Sequence, residues 1–240
     1  MRAVTRLVVL VTIVLPPLHA QSPGIGDGRP FRAVALTFGT SSLSVDPVNA
    51  ILSNAGFADL PTHAVTLGGG GYYAFGRALL GADVARASTT ESRPVNGRSD
   101  QATSWQGTVT VGYAVVATNR LSIYPSLGVG LGRLDVRLQS TTGGATTAQP
   151  QPTFAELAQN PGGESTVAGS HLLFNIGVSE DYLLTNPTPT GFGITFGIRA
   201  GFALAPHRTT WRTAGAPVLA GPDASAGGPF LRIAVGLGSR

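Results

Sequence analysis

The sequence contains no cysteine, so disulfide frameworks, zinc–thiolate centres and thiol catalysis are excluded together. It contains no lysine either: all 16 basic residues are Arg. Charged residues make up 12% of the chain, where a typical soluble domain carries about 25%. So few charges cannot clothe an ordinary soluble globule. Long apolar runs are also missing, since the longest, Leu7 to Leu15, is about half of the ~20 residues a membrane-crossing helix requires. What is abundant is glycine, 33 residues in 240, which with scarce Met and Glu favours closely packed strands over a helical bundle.

The first twenty residues have three parts. Arg2 and Arg6 precede the apolar run, and Leu18-His19-Ala20 ends the segment before Gln21, which is the pattern of a cleaved export signal over 1–20. Its removal leaves 14 Arg against 12 acidic residues, a net charge of +2, so the basicity of the full chain is a weak argument for a nucleic-acid partner, and export weakens it further. Residues 21–30 read as a flexible Gly/Pro leader, and 31–240 as one domain.

That domain is organised around Trp105 to Leu138, two long segments whose apolar residues alternate with small or polar ones. Val109, Val111, Tyr113 and Val115 share one face of the first segment; Leu121, Ile123, Leu127, Val129 and Leu131 share one face of the second. The same period of two recurs over about 31–40, 63–75, 78–88, 171–184, 191–204 and 228–238, giving eight strands in all. Each is long enough for the ~9–11 tilted residues that cross a bilayer. Connections alternate strictly between long and short, as in a closed up-and-down barrel with brief turns on one side of a membrane and extended loops on the other. A soluble barrel of lipocalin type would turn its bulky residues inward around a ligand, which the small, polar second faces here do not favour. Asp46-Pro47, then Val48, Ile51, Leu52 and Ala55 at helical spacing, and Gly56, predict a short helix capped by Asp46 in the first long loop. Thr153 with Glu156 predicts a capped helical turn in the longest polar stretch, 139–170.

Asp83, Arg199 and Arg232 lie on the small-residue faces of their strands. An Arg facing lipid near the midplane costs about 2–4 kcal/mol, so that face is predicted to be the interior. A polar network of Asp83, Arg199, Arg232, Gln106 and Asn175, with Thr108 and Ser179, is expected to fill the lumen and leave no continuous channel. Gly68 to Gly71 lacks the following Lys-Ser/Thr of a phosphate-binding loop and is read as a place of close strand approach. His63, His171 and His207 have no metal-ligand spacing, and no cofactor motif is present. Ser170 and His171 are neighbours on a strand, point to opposite faces and cannot form a catalytic dyad.

Two stretches carry a family resemblance: Gly191-Phe-Gly-Ile-Thr-Phe-Gly-Ile-Arg-Ala-Gly-Phe-Ala-Leu-Ala-Pro206, with Trp211 soon after, and Gly228-Pro-Phe-Leu-Arg-Ile-Ala-Val-Gly-Leu-Gly238. They resemble the last two strands of small Gram-negative outer-membrane β-barrel proteins of the OmpA-transmembrane and OmpX-like kind. Members commonly end on an aromatic residue read by the assembly machinery, whereas this chain closes Leu237-Gly-Ser-Arg240. The resemblance implies an eight-stranded antiparallel transmembrane barrel in the outer membrane, with membrane lipid, lipopolysaccharide and that machinery as partners. It implies a non-enzymatic structural or surface-interaction role through long external loops. Arg93, Arg98, Arg208 and Arg212 fall in those loops and are candidates to meet lipopolysaccharide phosphates through paired N–H donors. A barrel enzyme acting on outer-membrane lipid, or a small pore, are the alternatives.

Overall fold

The computed structural model describes residues 31–92, 94–118, 120–141, 151–185, 192–206 and 209–239. The export signal over 1–20 and the leader over 21–30 lie outside the described residues. Eight long strands form the wall: β1 (Phe31–Ser42), β2 (His63–Phe75), β3 (Ala78–Ser88), β4 (Arg98–Tyr113), β6 (Leu121–Ser140), β7 (Glu164–Leu183), β8 (Gly193–Leu204) and β11 (Gly228–Ser239). Short pieces complete the sheet: β5 (Val116–Ala117) beside the start of β6, and the outer-loop hairpin β9 (Thr210–Thr213) and β10 (Ala216–Pro217). Each wall strand pairs antiparallel with its neighbours, and β1 pairs with β11 from Arg32↔Ser239 to Ser41↔Phe230, so the sheet closes on itself. Closure leaves the wall no free edge.

Tight turns join the strands on one side. Gly76 takes φ +61° in the two-residue turn between β2 and β3, a backbone region that favours glycine. Within the tetraglycine, a Cβ added to Gly70 would lie 2.5 Å from the Ala82 carbonyl oxygen and 2.7 Å from Asp83 Cβ, so strands β2 and β3 approach closely there because no side chain intervenes.

The long connections fold over the opposite end as a packed cap. Helix α1 (Asp46–Asn54) occupies the first, but Asp46 is its first residue and not its cap. Val45, fully buried in the cap core, takes the capping position without a side-chain hydrogen bond, while the Asp46 carboxylate favours the first turn through the helix dipole. Asn49 fixes the following loop by giving and accepting a hydrogen bond with the Leu60 backbone at 3.0 and 2.8 Å. In the long polar stretch, α2 (Phe154–Gln159) carries the capping box: Thr153 Oγ1 accepts from the Glu156 N–H and Glu156 accepts from the Thr153 N–H. That carboxylate is held below its usual pKa by the backbone hydrogen bond, then by the Thr153 hydroxyl.

Strands β4, β6 and β7 begin or end well beyond the sequence-based bounds: β4 starts at Arg98, and β6 and β7 extend into the stretch read as the longest loop. The alternation continues along β6 but exchanges its chemistry. Leu127, Val129 and Leu131 face outward and Gly128 and Gly130 inward; farther on, Arg133, Asp135 and Arg137 face outward while Leu134, Val136 and Leu138 are wholly buried inside. Those three join Val167, Leu52, Phe154 and Trp211 in one apolar core beneath the cap. The interior beneath the cap is therefore mainly apolar, though Ser41, Thr66 and Ser104 are buried there, and the charged cluster lies in the half nearer the tight turns.

Candidate functional site

Alternation along each wall strand sends every second side chain into the barrel. In the polar half this brings together Asp83 from β3, Arg199 from β8, Arg232 from β11 and Asn175 from β7 around an internal cavity of about 80 Å³. Arg232 Nη1 donates to Asp83 Oδ1 at 3.4 Å, and Thr108 Oγ1 donates to Asp83 Oδ2 at 2.5 Å. The Arg232 guanidinium also lies 4.8 Å from the centre of the Phe230 ring. Arg199 is the direct cross-strand neighbour of Arg232, so two like charges are held side by side with Asp83 against one of them. Gln106 faces inward and is buried, but it does not line this cavity.

Sequence reading missed a second polar contact. Tyr124 Oη donates to Asp181 Oδ2 at 2.8 Å, near Tyr72, whose ring centroid lies 5.8 Å from that of Tyr124. Both partners of that bond lie on inward faces of adjacent strands, and only the observed register, Tyr124↔Ser179, shows that they meet.

The four loop arginines have different fates. Arg98 serves the cap: its Nη1 donates to the Ala55 carbonyl, its Nη2 donates to the Gln159 carbonyl at 3.0 Å, and its plane sits 5.4 Å from the Phe57 ring centre. The cation thus joins the C-terminal ends of α1 and α2, where unsatisfied carbonyls and the helix dipoles favour it. Two of its donors are thus engaged within the cap. Arg212 is exposed on β9. Arg93 and Arg208 lie outside the described residues, as does His207. Of the other histidines, His171 is buried with Nε2 accepting from the Ala226 N–H at 3.3 Å, and His63 is exposed with Nδ1 3.2 Å from Ser42 Oγ. Among the described residues no cluster of His, Asp or Glu has the arrangement of a metal site, and no helix is long and apolar enough to cross a membrane.

The outer wall carries the most extensive feature. Large apolar side chains stand exposed on all eight long strands, among them Leu36 at 72%, Leu67, Leu80, Val109, Leu127, Ile176, Ile198 and Val235. Isolated exposed hydrophobics are ordinary, but an unbroken band around a closed wall is not found on a water-facing monomer. Tyr73, Phe75, Tyr113 and Tyr182 border it toward the tight turns, and Trp105 borders it toward the cap. Polar lumen, apolar outward band and flanking aromatics on an even-numbered antiparallel cylinder define a small outer-membrane type of β-barrel.

No family model and no curated protein sequence matches the chain. Among solved structures, it is similar to Ail, the attachment invasion locus protein of Yersinia pestis, at 11% identity and TM-score 0.49, covering 87% of this chain and 98% of that one. It is also similar to Neisserial surface protein A, at 12% identity and TM-score 0.36, covering 87% and 94%. The outer membrane protease OmpT of Escherichia coli matches at 6% identity and TM-score 0.34, covering 91% and 98%.

Proposed function

We propose that this chain is exported, inserts in the outer membrane as a sealed barrel, and serves there as a non-enzymatic surface protein that presents a folded external cap. The observation that carries this reading is the continuous apolar band on all eight long strands, which only acyl chains can cover on a closed cylinder. Insertion by the assembly machinery and contact with outer-membrane lipid and lipopolysaccharide follow from that placement. The exchange of chemistry at Gly132 on β6 agrees with it: below this level the outer medium is apolar, and above it water meets Arg133, Asp135 and Arg137 while the cap supplies the apolar interior. Cell fractionation combined with gel mobility before and after boiling tests the reading. A folded barrel in the outer-membrane fraction changes mobility on boiling; recovery in the soluble fraction with no such change contradicts it.

A second reading, a barrel enzyme acting on outer-membrane lipid, is favoured by one contact. Ser42 Oγ and His63 Nδ1 are 3.2 Å apart on outward positions at the cap-side end of β1 and β2, where a nucleophile and base would reach lipid. Among the described residues no carboxylate is bonded to the His63 ring to orient it, which is why the non-enzymatic reading stands first. Lipid analysis of cells with and without the protein separates the two: unchanged acyl chains leave the structural role, and a Ser42-dependent change establishes the enzyme.

A further inference from the structure

We propose that the outward face of β3, β4, β6 and β7 holds a binding site for a phosphate-bearing lipid, with Arg86 and Arg133 as phosphate ligands and the notch at Gly107 as the seat of an acyl chain. The site rests on the membrane-spanning reading above. The observed register places Arg86, Trp105, Arg133 and Ser170 side by side on successive strands. The next outward row toward the membrane centre is Val84, Gly107, Leu131 and Leu172. Strands are ~4.8 Å apart, so the two arginine Cα atoms stand about 10 Å apart on either side of Trp105.

Both cations are accessible and prearranged. The Arg86 guanidinium lies 5.4 Å from the Trp105 ring centre, within the range of a cation–π contact. Arg133, with 57% of its side chain exposed, donates through Nε to Asp135 at 2.7 Å. Among the described residues its two Nη groups, and the whole Arg86 guanidinium, have no hydrogen-bond partner. Planar guanidinium forks match phosphate oxygens in pairs. Directly below, Gly107 forms a shallow notch within the apolar band: a Cβ there would meet only Val84 Cγ1 at 3.8 Å, so no side chain fills the space between Val84 and Leu131. This hollow belongs to an open cleft of about 700 Å³ lined by Trp105, Gly107, Leu131, Arg133, Ser170 and Thr210, with Arg86 beside it on the far side of Trp105. Cation above and hydrocarbon notch below complement a molecule with a phosphate head and an acyl tail in that order from the membrane surface inward. The site lies on the barrel wall, with Thr210 of β9 at its margin and Arg212 the next outward residue along that strand.

Native mass spectrometry of the folded protein in detergent tests this, titrated with diphosphorylated lipid A, with the same lipid dephosphorylated, and with inorganic phosphate. The wild type is expected to prefer the phosphorylated lipid at least tenfold. R86Q/R133Q should abolish that preference, G107L should weaken both lipids about tenfold, and R120Q, an exposed arginine at the opposite end of the barrel, should behave as wild type. Inorganic phosphate should not displace the lipid. Should R86Q/R133Q fail to fold, R86K/R133K retains charge without the paired donors and is expected to lose most of the preference. Retention of the preference by R86Q/R133Q or by the lysine variant, an equal loss in R120Q, unaltered binding in G107L, or displacement by phosphate alone overturns the site. Absence of the boiling-dependent mobility change in the wild type overturns the barrel reading itself, so the two failures are distinguishable.

Discussion

Removal of the Asp83 carboxylate, as in Asp83→Ala, strips the Arg232 guanidinium of its counter-charge while the group remains enclosed. The Arg232 side chain is 6% exposed, and Arg199 lies immediately across the strand pair. Taking one partner from a buried ion pair costs about 3–5 kcal/mol, because the other charge keeps its desolvation penalty. The 3.4 Å separation and the 21% exposure of Asp83 toward the cavity place this pair at the lower end, about 3 kcal/mol. Loss of the Thr108 hydroxyl's acceptor adds about 1 kcal/mol. Replacing both members, as in Asp83→Ala/Arg232→Met, removes the stranded charge and is expected to restore stability to within about 1–2 kcal/mol of wild type. Reversible urea unfolding in lipid vesicles, followed by fluorescence of Trp105 and Trp211, yields the four corners of the cycle. A single variant as stable as wild type, or a double variant less stable than Asp83→Ala alone, refutes the premise that this pair is enclosed and coupled.

Further expectations concern the cap and the lumen. Asp100 is 1% exposed, and burial, opposed by the Ser92 hydrogen bond and reinforced by the nearby Asp59 charge, raises its pKa above the ordinary 3.8. The folded cap therefore binds a proton more tightly than the unfolded chain, so stability decreases as pH rises through the window between 3.8 and the folded value. Asp100→Asn should flatten that dependence and stabilise the cap at neutral pH, as read by hydrogen exchange of β4 and α1; an unchanged pH profile contradicts it. Trp211→Ala deletes an edge-on contact with Phe154, centroids 5.2 Å apart, and an indole N–H bond to the Pro222 carbonyl at 2.7 Å. It should cost about 3–5 kcal/mol and open the cap to limited proteolysis while the barrel keeps its boiling-dependent mobility. Planar-bilayer recording should show no reproducible conductance steps, because Leu134, Val136, Leu138 and Phe154 fill the cap-side interior; regular steps of fixed size would show a continuous path.

Much of the wall was legible because its environment imposes a period of two that survives without knowledge of partners. The strands over 63–75 and 78–88 match their expected bounds, and the large apolar faces expected outward are exposed there, except Ile123, which is buried where β5 pairs with the start of β6. Less legible was the point where the meaning of that period changes. Along Arg133-Leu-Asp-Val-Arg-Leu-Gln139 the alternation is as regular as before, but apolar residues have passed to the inner face. A pattern reports two faces and not which medium each meets, so only the folded cap, by burying Leu134, Val136 and Leu138, marks where the apolar band ends. Cap contacts were hidden for a different reason. Arg98 meets Ala55 and Gln159, and Trp211 meets Phe154, across separations set by loop packing that has no sequence period. Asp83 and Arg232 shared an expected face, but 149 residues separate them, and only closure of β11 on β1 brings them to one side of the lumen.

The absence of native cysteine permits a direct test of sidedness. Single cysteines placed in turn from Val34 to Phe38 on β1, spin-labelled in bilayers, report access to dissolved oxygen, which concentrates among acyl chains. Oxygen access should peak at Val34, Leu36 and Phe38 and fall at Ala35 and Thr37, following the observed alternation. A peak at Ala35 and Thr37, or a flat profile with access to water-borne relaxation agents throughout, would place the apolar band away from lipid and contradict the account.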